Sequence, residues 1–354
     1  MRILQVITDR DRRGAQVFAV SLEAALRPLG HQVATVALAP GTREARLDVE
    51  VLGEHARGVS TLRALRRQMG DADITVAHGS STLLACALAG IGRGRPFVYR
   101  QISNSRYWAP TWWRRLRVAT YLRTPRRVVA LSNTAACDLI EYLHVPASRI
   151  DVVANGVARG ALLPATAEAR TAARTALGLP PDAFVVLCIG ALTPEKATHV
   201  AVEATASAEC HLVIVGGGPD RERIEALAAT AAPGRVHLLG DLSDVLPAYH
   251  AADAVVLPSF SESMPATLIE AGLCGLAAVS TPVGSTTDIV LHERTGLIVP
   301  VGDVAATSAA FERLRNDPAL RAALGSAAEQ HCAATFEIGV VALGWQATLE
   351  RAVR

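Results

Sequence analysis

Short β-rich runs separated by helix-length segments recur along the chain, and this alternation restricts its possible folds more than any other feature. RILQVIT (2–8) is followed by a loop ending in Gly14 and an apolar-periodic stretch to about Leu29. HQVATVAL (31–38), DITVAH (73–78), PFVYRQ (96–101) and RVVALS (127–132) continue the series. The pattern resumes with AFVVLCIG (183–190), HLVIVGG (211–217), RVHLLG (235–240), AVVLPS (254–259) and AAVSTP (277–282). Strands joined through helices connect by right-handed crossovers and build a parallel sheet. Between the two series, ARGALLPATAEARTAARTALGLPPD (158–182) is rich in small residues, ends in Pro-Pro and reads as a linker. At 354 residues the chain exceeds one ordinary core. The expectation is an α/β protein of two doubly wound, Rossmann-like domains facing across a cleft. Their bounds are 1–160 and 176–335, with ligand beyond the carboxyl ends of the strands.

The net charge of +2 conceals an asymmetry. Residues 1–160 hold 23 Arg against 12 Asp and Glu, a net of +11, whereas residues 161–354 hold 11 Arg, one Lys and 21 acids, a net of −9. Residues 93–127 contain ten arginines and no acid, so the two halves face different chemistry. Six scattered cysteines without a CxxC pair read as buried free thiols in a reducing, cytoplasmic setting. The longest uncharged stretch, ITVAHGSSTLLACALAGIG (74–92), is interrupted by His78, Gly79, Ser80 and Ser81. It reads as strand, turn and buried helix rather than a membrane span.

Lys196 is the only lysine among 35 strongly basic side chains. It follows the strand end Ile189-Gly190, in a loop with Pro194 and Glu195 where a helix starts. Helix N-termini offer free N–H groups to an anion such as a diphosphate. An ammonium adds a compact charge that can follow a moving phosphate oxygen, where a guanidinium would impose a planar fork. The alternative is an ordinary surface lysine in a first helical turn.

A second constellation is PSFSESMPATLIEAGLCGLAAVSTPVG (258–284). Glu262 and Glu270 stand eight residues apart, which would place them about 12 Å apart on one edge if the helix reaches both. That spacing suits the two ends of an elongated polar ligand and is too wide for a retaining glycosidase pair.

With these residues the chain resembles the retaining glycosyltransferases of family 4, whose two-Rossmann-domain fold is called GT-B. The resemblance rests on E262-SMPATLI-E270, PEK (194–196), VVANGV (152–157), LVIVGGGP (212–219), ADAVVLPS (252–259), TPVGSTTDIV (281–290) and TGLIVPVGD (295–303). It covers nearly the whole chain, including RILQVIT and LRPLGHQV near the amino end. The resemblance implies that Glu270 binds the ribose of a nucleotide sugar. Glu262 would contact the donor hexose, helped by backbone groups around Ser263, Met264 and Pro265. Lys196 would neutralise the departing diphosphate, with Gly14 and Gly284 admitting ligand close to the backbone. It further implies a last helix, about 338–354, crossing back to the first domain. The implied reaction moves a hexosyl group from a nucleotide-diphosphate sugar to a hydroxyl acceptor with retained configuration. No Asp-x-Asp motif lies in residues 161–354, the half that carries these donor-side residues, so metal independence is expected, with no cofactor beyond the nucleotide-sugar co-substrate.

Two positions depart from the family. Ala191 stands where arginine is usual, and PFVYRQIS (96–103) lacks the histidine often found there. Arg100, Gln101 or Asn104 would fill that acceptor-side space, and His78 is a further candidate. These departures motivate a competing reading, a nucleotide-sugar-binding homologue without turnover; a nucleotide-sugar epimerase is another. GGGP (216–219) is followed by Arg221 rather than the last glycine of GxGxxG, so a dehydrogenase fingerprint is absent. The arginine-rich segment interleaves Tyr107, Trp108, Trp112 and Trp113. It reads as a peripheral contact with an anionic membrane surface, at the inner face of the plasma membrane. Recognition of a phosphorylated acceptor, or simply a solvated helix, are the alternatives. No motif supports nucleic-acid binding.

Overall fold

The structure is a computed structural model that describes residues 1–42, 45–92, 95–102 and 109–354. The chain separates into two compact units, Met1–Ala158 with Phe336–Arg354, and Arg159–Thr335. In the first unit the strand order is β3 (Glu50–Val51), β2 (Gln32–Ala39), β1 (Arg2–Asp9), β4 (Ile74–His78), β5 (Phe97–Arg100), β6 (Arg127–Ala130) and β7 (Ile150–Val152). In the second it is β10 (Val236–Gly240), β9 (His211–Val215), β8 (Val185–Ile189), β11 (Ala254–Leu257), β12 (Ala277–Ser280) and β13 (Gly296–Ile298). Every pairing in both sheets is parallel. Both units are therefore doubly wound, Rossmann-like layers, as the alternating pattern predicts. Each reverses strand order at one point, between β1 and β4 in the first unit and between β8 and β11 in the second.

Strand periodicity sorts the side chains of the first sheet onto two faces. Leu4 and Val6 pack with Leu65, Leu83 and Val118 on one side. Ile3, Val76 and Val98 meet Phe18, Leu22 and Trp345 on the other. That second layer consists of helix α1 (Gly14–Leu26) and the last helix of the chain, Ile338–Val353. Glu337 caps the last helix by accepting from the Gly339 N–H at 2.9 Å. Gly156 of the VVANGV motif lets it pass, since a Cβ there would lie 2.9 Å from Ile338 and 3.0 Å from Val341. Asp151 adds ion pairs to Arg127 and Arg351.

Three expectations need correction. The stretch read as a linker contains the helix Ala167–Ala176, capped by Thr166 and part of the second unit. Its Arg170 and Arg174 both pair with Asp253, which also accepts from the Val185 N–H at 2.8 Å. The small residues are there because the helix lies close against the segment Leu246–Ala251. Cys137 is exposed, whereas the other five cysteines are buried. Glu262 and Glu270 do not share a helix, because the helix of this region begins at Ala266. Residues 74–92 fold as strand, turn and helix, with α2 (Val59–Asp71) packed on α3 (Ser80–Gly90). No helix among the described residues is long and apolar enough to cross a membrane.

His78, at the carboxyl end of β4, is 2% exposed. Its Nε2 lies 2.9 Å from Gln5 Oε1, and its ring packs between Phe18 and Trp345. Burial, and secondarily the Arg100 charge, hold its pKa well below the usual imidazole value. The unfolded chain therefore binds a proton near pH 6.5 that the native state resists, so stability falls as pH drops below that value. The contribution is at most about 1.4 kcal/mol per pH unit. Urea unfolding from pH 7.5 to 5 should show this loss in the wild type and a shallower one in His78→Gln; equal slopes would contradict it.

Candidate functional site

The switch point of the second sheet brings three loops together. The first leaves β8 at Ile189 and passes through a short 3₁₀ turn, Pro194–Lys196. Ala197 then takes a left-handed conformation, φ +50°, before the helix Thr198–Ala208 begins. Lys196 thus precedes the helix rather than occupying its first turn. The second loop leaves β11 and carries Ser259 and Glu262 to the helix Ala266–Leu273. The third follows β12 and carries Gly284.

The Lys196 ammonium donates to Glu262 Oε1 at 2.6 Å, and the Ser259 hydroxyl donates to the same oxygen at 2.7 Å. The Glu262 side chain is 7% exposed and that of Lys196 26%, so the ammonium is the solvent-facing member of the pair. Backbone contacts fix this geometry: the Phe260 N–H donates to the Glu195 carbonyl at 2.8 Å. The Ser285 N–H donates to the Ser263 carbonyl at 2.8 Å, tying the third loop to the second. Met264 and Pro265 are buried beneath the turn. Pro265 has no N–H, and no side chain caps the helix that follows it. Among the described residues no side chain occupies the first-turn N–H groups of that helix, which face outward for ligand oxygens.

Glu270 is held separately. Tyr249, 1% exposed on the helix Leu246–Ala251, donates its hydroxyl to Glu270 Oε2 at 2.7 Å. Burial pushes the Glu270 carboxyl up from its ordinary value, and the Tyr249 hydrogen bond opposes that shift. The Tyr249 hydroxyl is raised well above its usual range by burial and by the neighbouring carboxylate. The tyrosine is therefore the donor, and one carboxylate oxygen is left for another hydroxyl. Sequence reasoning missed both Ser259 and Tyr249. Ser259 carries a weak signal in following a strand end, Tyr249 none.

Glycines seat the first loop. A Cβ on Gly216 would lie 2.0 Å from the Gly190 carbonyl oxygen, and one on Gly218 2.3 Å from that of Leu192. The GGGP run is thus a platform for residues 190–192. Ala191, which departs from the arginine usual in the family, is exposed.

Gly14, His78 and Arg100 belong to the first unit. Gly14 opens α1, where an added Cβ would meet nothing within 4 Å. Arg100 is 2% exposed, its guanidinium 3.7 Å above the Phe18 ring, with Nη2 donating to Asn155 Oδ1 at 2.9 Å. Nε and Nη1 are buried without a hydrogen-bond partner among the described residues. Burial lowers its pKa to about 9. Asn104 lies outside the described residues. No cluster of three His, Cys, Asp or Glu suited to a metal occurs among the described residues.

Comparison with known proteins agrees with this layout. Residues 12–159 match the family Glycosyltransferase Family 4, and residues 169–331 match Glycosyl transferases group 1. A D-inositol 3-phosphate glycosyltransferase of Salinispora arenicola is 35% identical over 225 residues, 58% of this chain and 50% of the relative. That of Thermobispora bispora is 34% identical over 248 residues, 64% of this chain and 54% of the relative. The chain spans about half the length of these curated relatives. Among solved structures, Anabaena Alr3699/HepE in complex with UDP and glucose superposes with a TM-score of 0.86 at 20% identity, covering 99% of each chain. Sucrose-phosphate synthase from Thermosynechococcus elongatus gives 0.82 at 21% identity, covering 99% and 98%. These likenesses show the GT-B fold.

Gly284, at φ +57°, would place a Cβ 2.2 Å from the Glu262 carbonyl oxygen. Gly284→Ala should therefore lower stability by about 1–3 kcal/mol, whereas Gly14→Ala should not. Equal unfolding midpoints for Gly284→Ala and the wild type would contradict the tight loop contact.

Proposed function

On this homology to family 4 glycosyltransferases, we propose that the protein transfers a hexosyl group from a nucleotide-diphosphate sugar to a hydroxyl acceptor with retention. The observation that carries the reading is Lys196 and Glu262 joined at the switch point of the second sheet, the place where doubly wound sheets bind nucleotides. Glu270 takes the ribose hydroxyls on its remaining oxygen. Glu262 and the uncapped N–H groups after Pro265 take the hexose hydroxyls, while the loop that Gly284 packs against Glu262 lines the phosphates with its backbone.

In the reaction the anomeric carbon–oxygen bond to the diphosphate breaks, and a new bond forms to the acceptor oxygen on the same face. The acceptor proton passes to the departing phosphate oxygen. Charge builds on that phosphate, and the Lys196 ammonium is placed to stabilise it more in the transition state than in the ground state. The Ser259 bond keeps Glu262 oriented when the ammonium turns to phosphate. The basic first unit, with 24 Arg against 14 Asp and Glu for a net of +10, suits an anionic acceptor, a class that includes the inositol phosphate named for the relatives. Arg100 is assigned to that side as a positioning residue through Asn155, with His78 as a buried support, and Gly14 to close approach of the donor.

A thermal-shift series with UDP-, GDP-, ADP- and TDP-sugars identifies the donor, since a ligand that binds only the folded state raises the midpoint by mass action. Transfer assays with that donor then decide. Saturable binding with neither transfer nor slow donor hydrolysis would identify a binding protein, and sugar-nucleotide interconversion without acceptor an epimerase.

Two variants separate the roles. Lys196→Ala should lower kcat by about 10²–10³-fold with a smaller change in donor affinity; an unchanged kcat would contradict its role. Tyr249→Phe, which leaves Glu270 in place but frees its carboxylate, should raise the donor KM about fivefold with kcat nearly intact. A kcat effect without a KM effect would contradict the ribose assignment.

A further inference from the structure

The helix Trp112–Tyr121 carries two apolar faces, although only one has a place in the core. Val118 and Leu122 point inward, 4% and 1% exposed. With successive residues turning about 100°, Trp112, Leu116 and Trp113 form a stripe on the far side of the helix. They are 74%, 62% and 46% exposed. Exposed large side chains scattered singly need no explanation, but three on one helical stripe do.

The surroundings are cationic. Arg114 and Arg117 flank the stripe, each with its guanidinium within 5.4 Å of the Trp113 ring centroid. Beside the helix, an open hollow at Leu143 and His144 is bordered by Arg115 and Arg123. Residues 93–127 contain no acid to neutralise these charges. Tyr107 and Trp108 of the same segment lie outside the described residues.

We propose that this face docks on an anionic phospholipid bilayer. Indole rings and a leucine enter the boundary between headgroups and acyl chains, while the flanking guanidiniums meet lipid phosphates. Charge complementarity selects this occupant over a second copy of the chain, whose identical arginines would be brought together. Leu116 between the two tryptophans selects it over a nucleic acid, because an aliphatic branch gives bases no stacking platform. The inference goes beyond glycosyl transfer and does not depend on it.

The test is sedimentation of the full chain, without donor or acceptor, with vesicles of phosphatidylcholine alone or with one-third phosphatidylglycerol. The variants are Trp112→Ser/Leu116→Ser and Arg114→Gln/Arg117→Gln, all at exposed positions. Binding should need phosphatidylglycerol, weaken with salt and fall at least about tenfold in each double variant, with unfolding midpoints unchanged. No binding to anionic vesicles, or equal binding by the variants, would overturn the proposal. So would loss, in these variants, of self-association or of oligonucleotide binding while vesicle binding persists.

Discussion

A lysine ammonium and a glutamate carboxylate meet where the second sheet reverses its strand order, and the surrounding architecture serves to hold them there. Alone, an ion pair this buried contributes little net stability, because the cost of desolvating it offsets the Coulomb gain. Here it is set on rigid supports: a backbone hydrogen bond from Phe260 to Glu195, a serine hydroxyl on the carboxylate, and a glycine platform beneath residues 190–192. The more buried carboxylate and the more accessible ammonium leave a positive group presented to solvent without a stranded negative one behind it. An arriving anion can therefore engage Lys196 while Glu262 retains the Ser259 bond. That arrangement suits a ligand whose charge grows during reaction, because the compensating group is already oriented.

The first unit solves a different problem. A guanidinium without a carboxylate partner among the described residues costs free energy to bury, and its lowered pKa, about 9, records that cost. Stacking on Phe18 and the hydrogen bond to Asn155 offset part of it. The last helix closes the layer, with Trp345 packed against Phe18 and His78. The VVANGV segment serves twice, since Asn155 holds Arg100 and Gly156 admits the helix.

The repeating strands are legible because near-continuous runs of Val, Ile and Leu, as parallel strands buried on both faces require, are short, local and bounded by charged residues, glycine or proline. Lys196 stood out through its rarity, and the spacing of Glu262 and Glu270 through its flanks. What escaped was tertiary. Tyr249 reaches Glu270 from a separate helix, and no local pattern announces a hydroxyl aimed at a carboxylate. The helix at 167–176 was hidden because alanine-rich segments with a Pro-Pro end also describe connectors. Its pairing with Asp253 depends on a strand far along the chain. The GGGP run was legible as glycine-rich, but only the close approach of Gly190 and Leu192 explains why side chains are excluded there. The helix-edge reading of the two glutamates failed because Pro265 sets the helix start after Glu262.

If the three loops after β8, β11 and β12 form one binding site, a nucleotide sugar must rigidify them together. Hydrogen–deuterium exchange with and without saturating donor measures this directly. The account predicts slowed exchange confined to residues 190–197, 259–268 and 281–287, rising in step with donor concentration. Donor binding that leaves these segments exchanging at their free rates would contradict it.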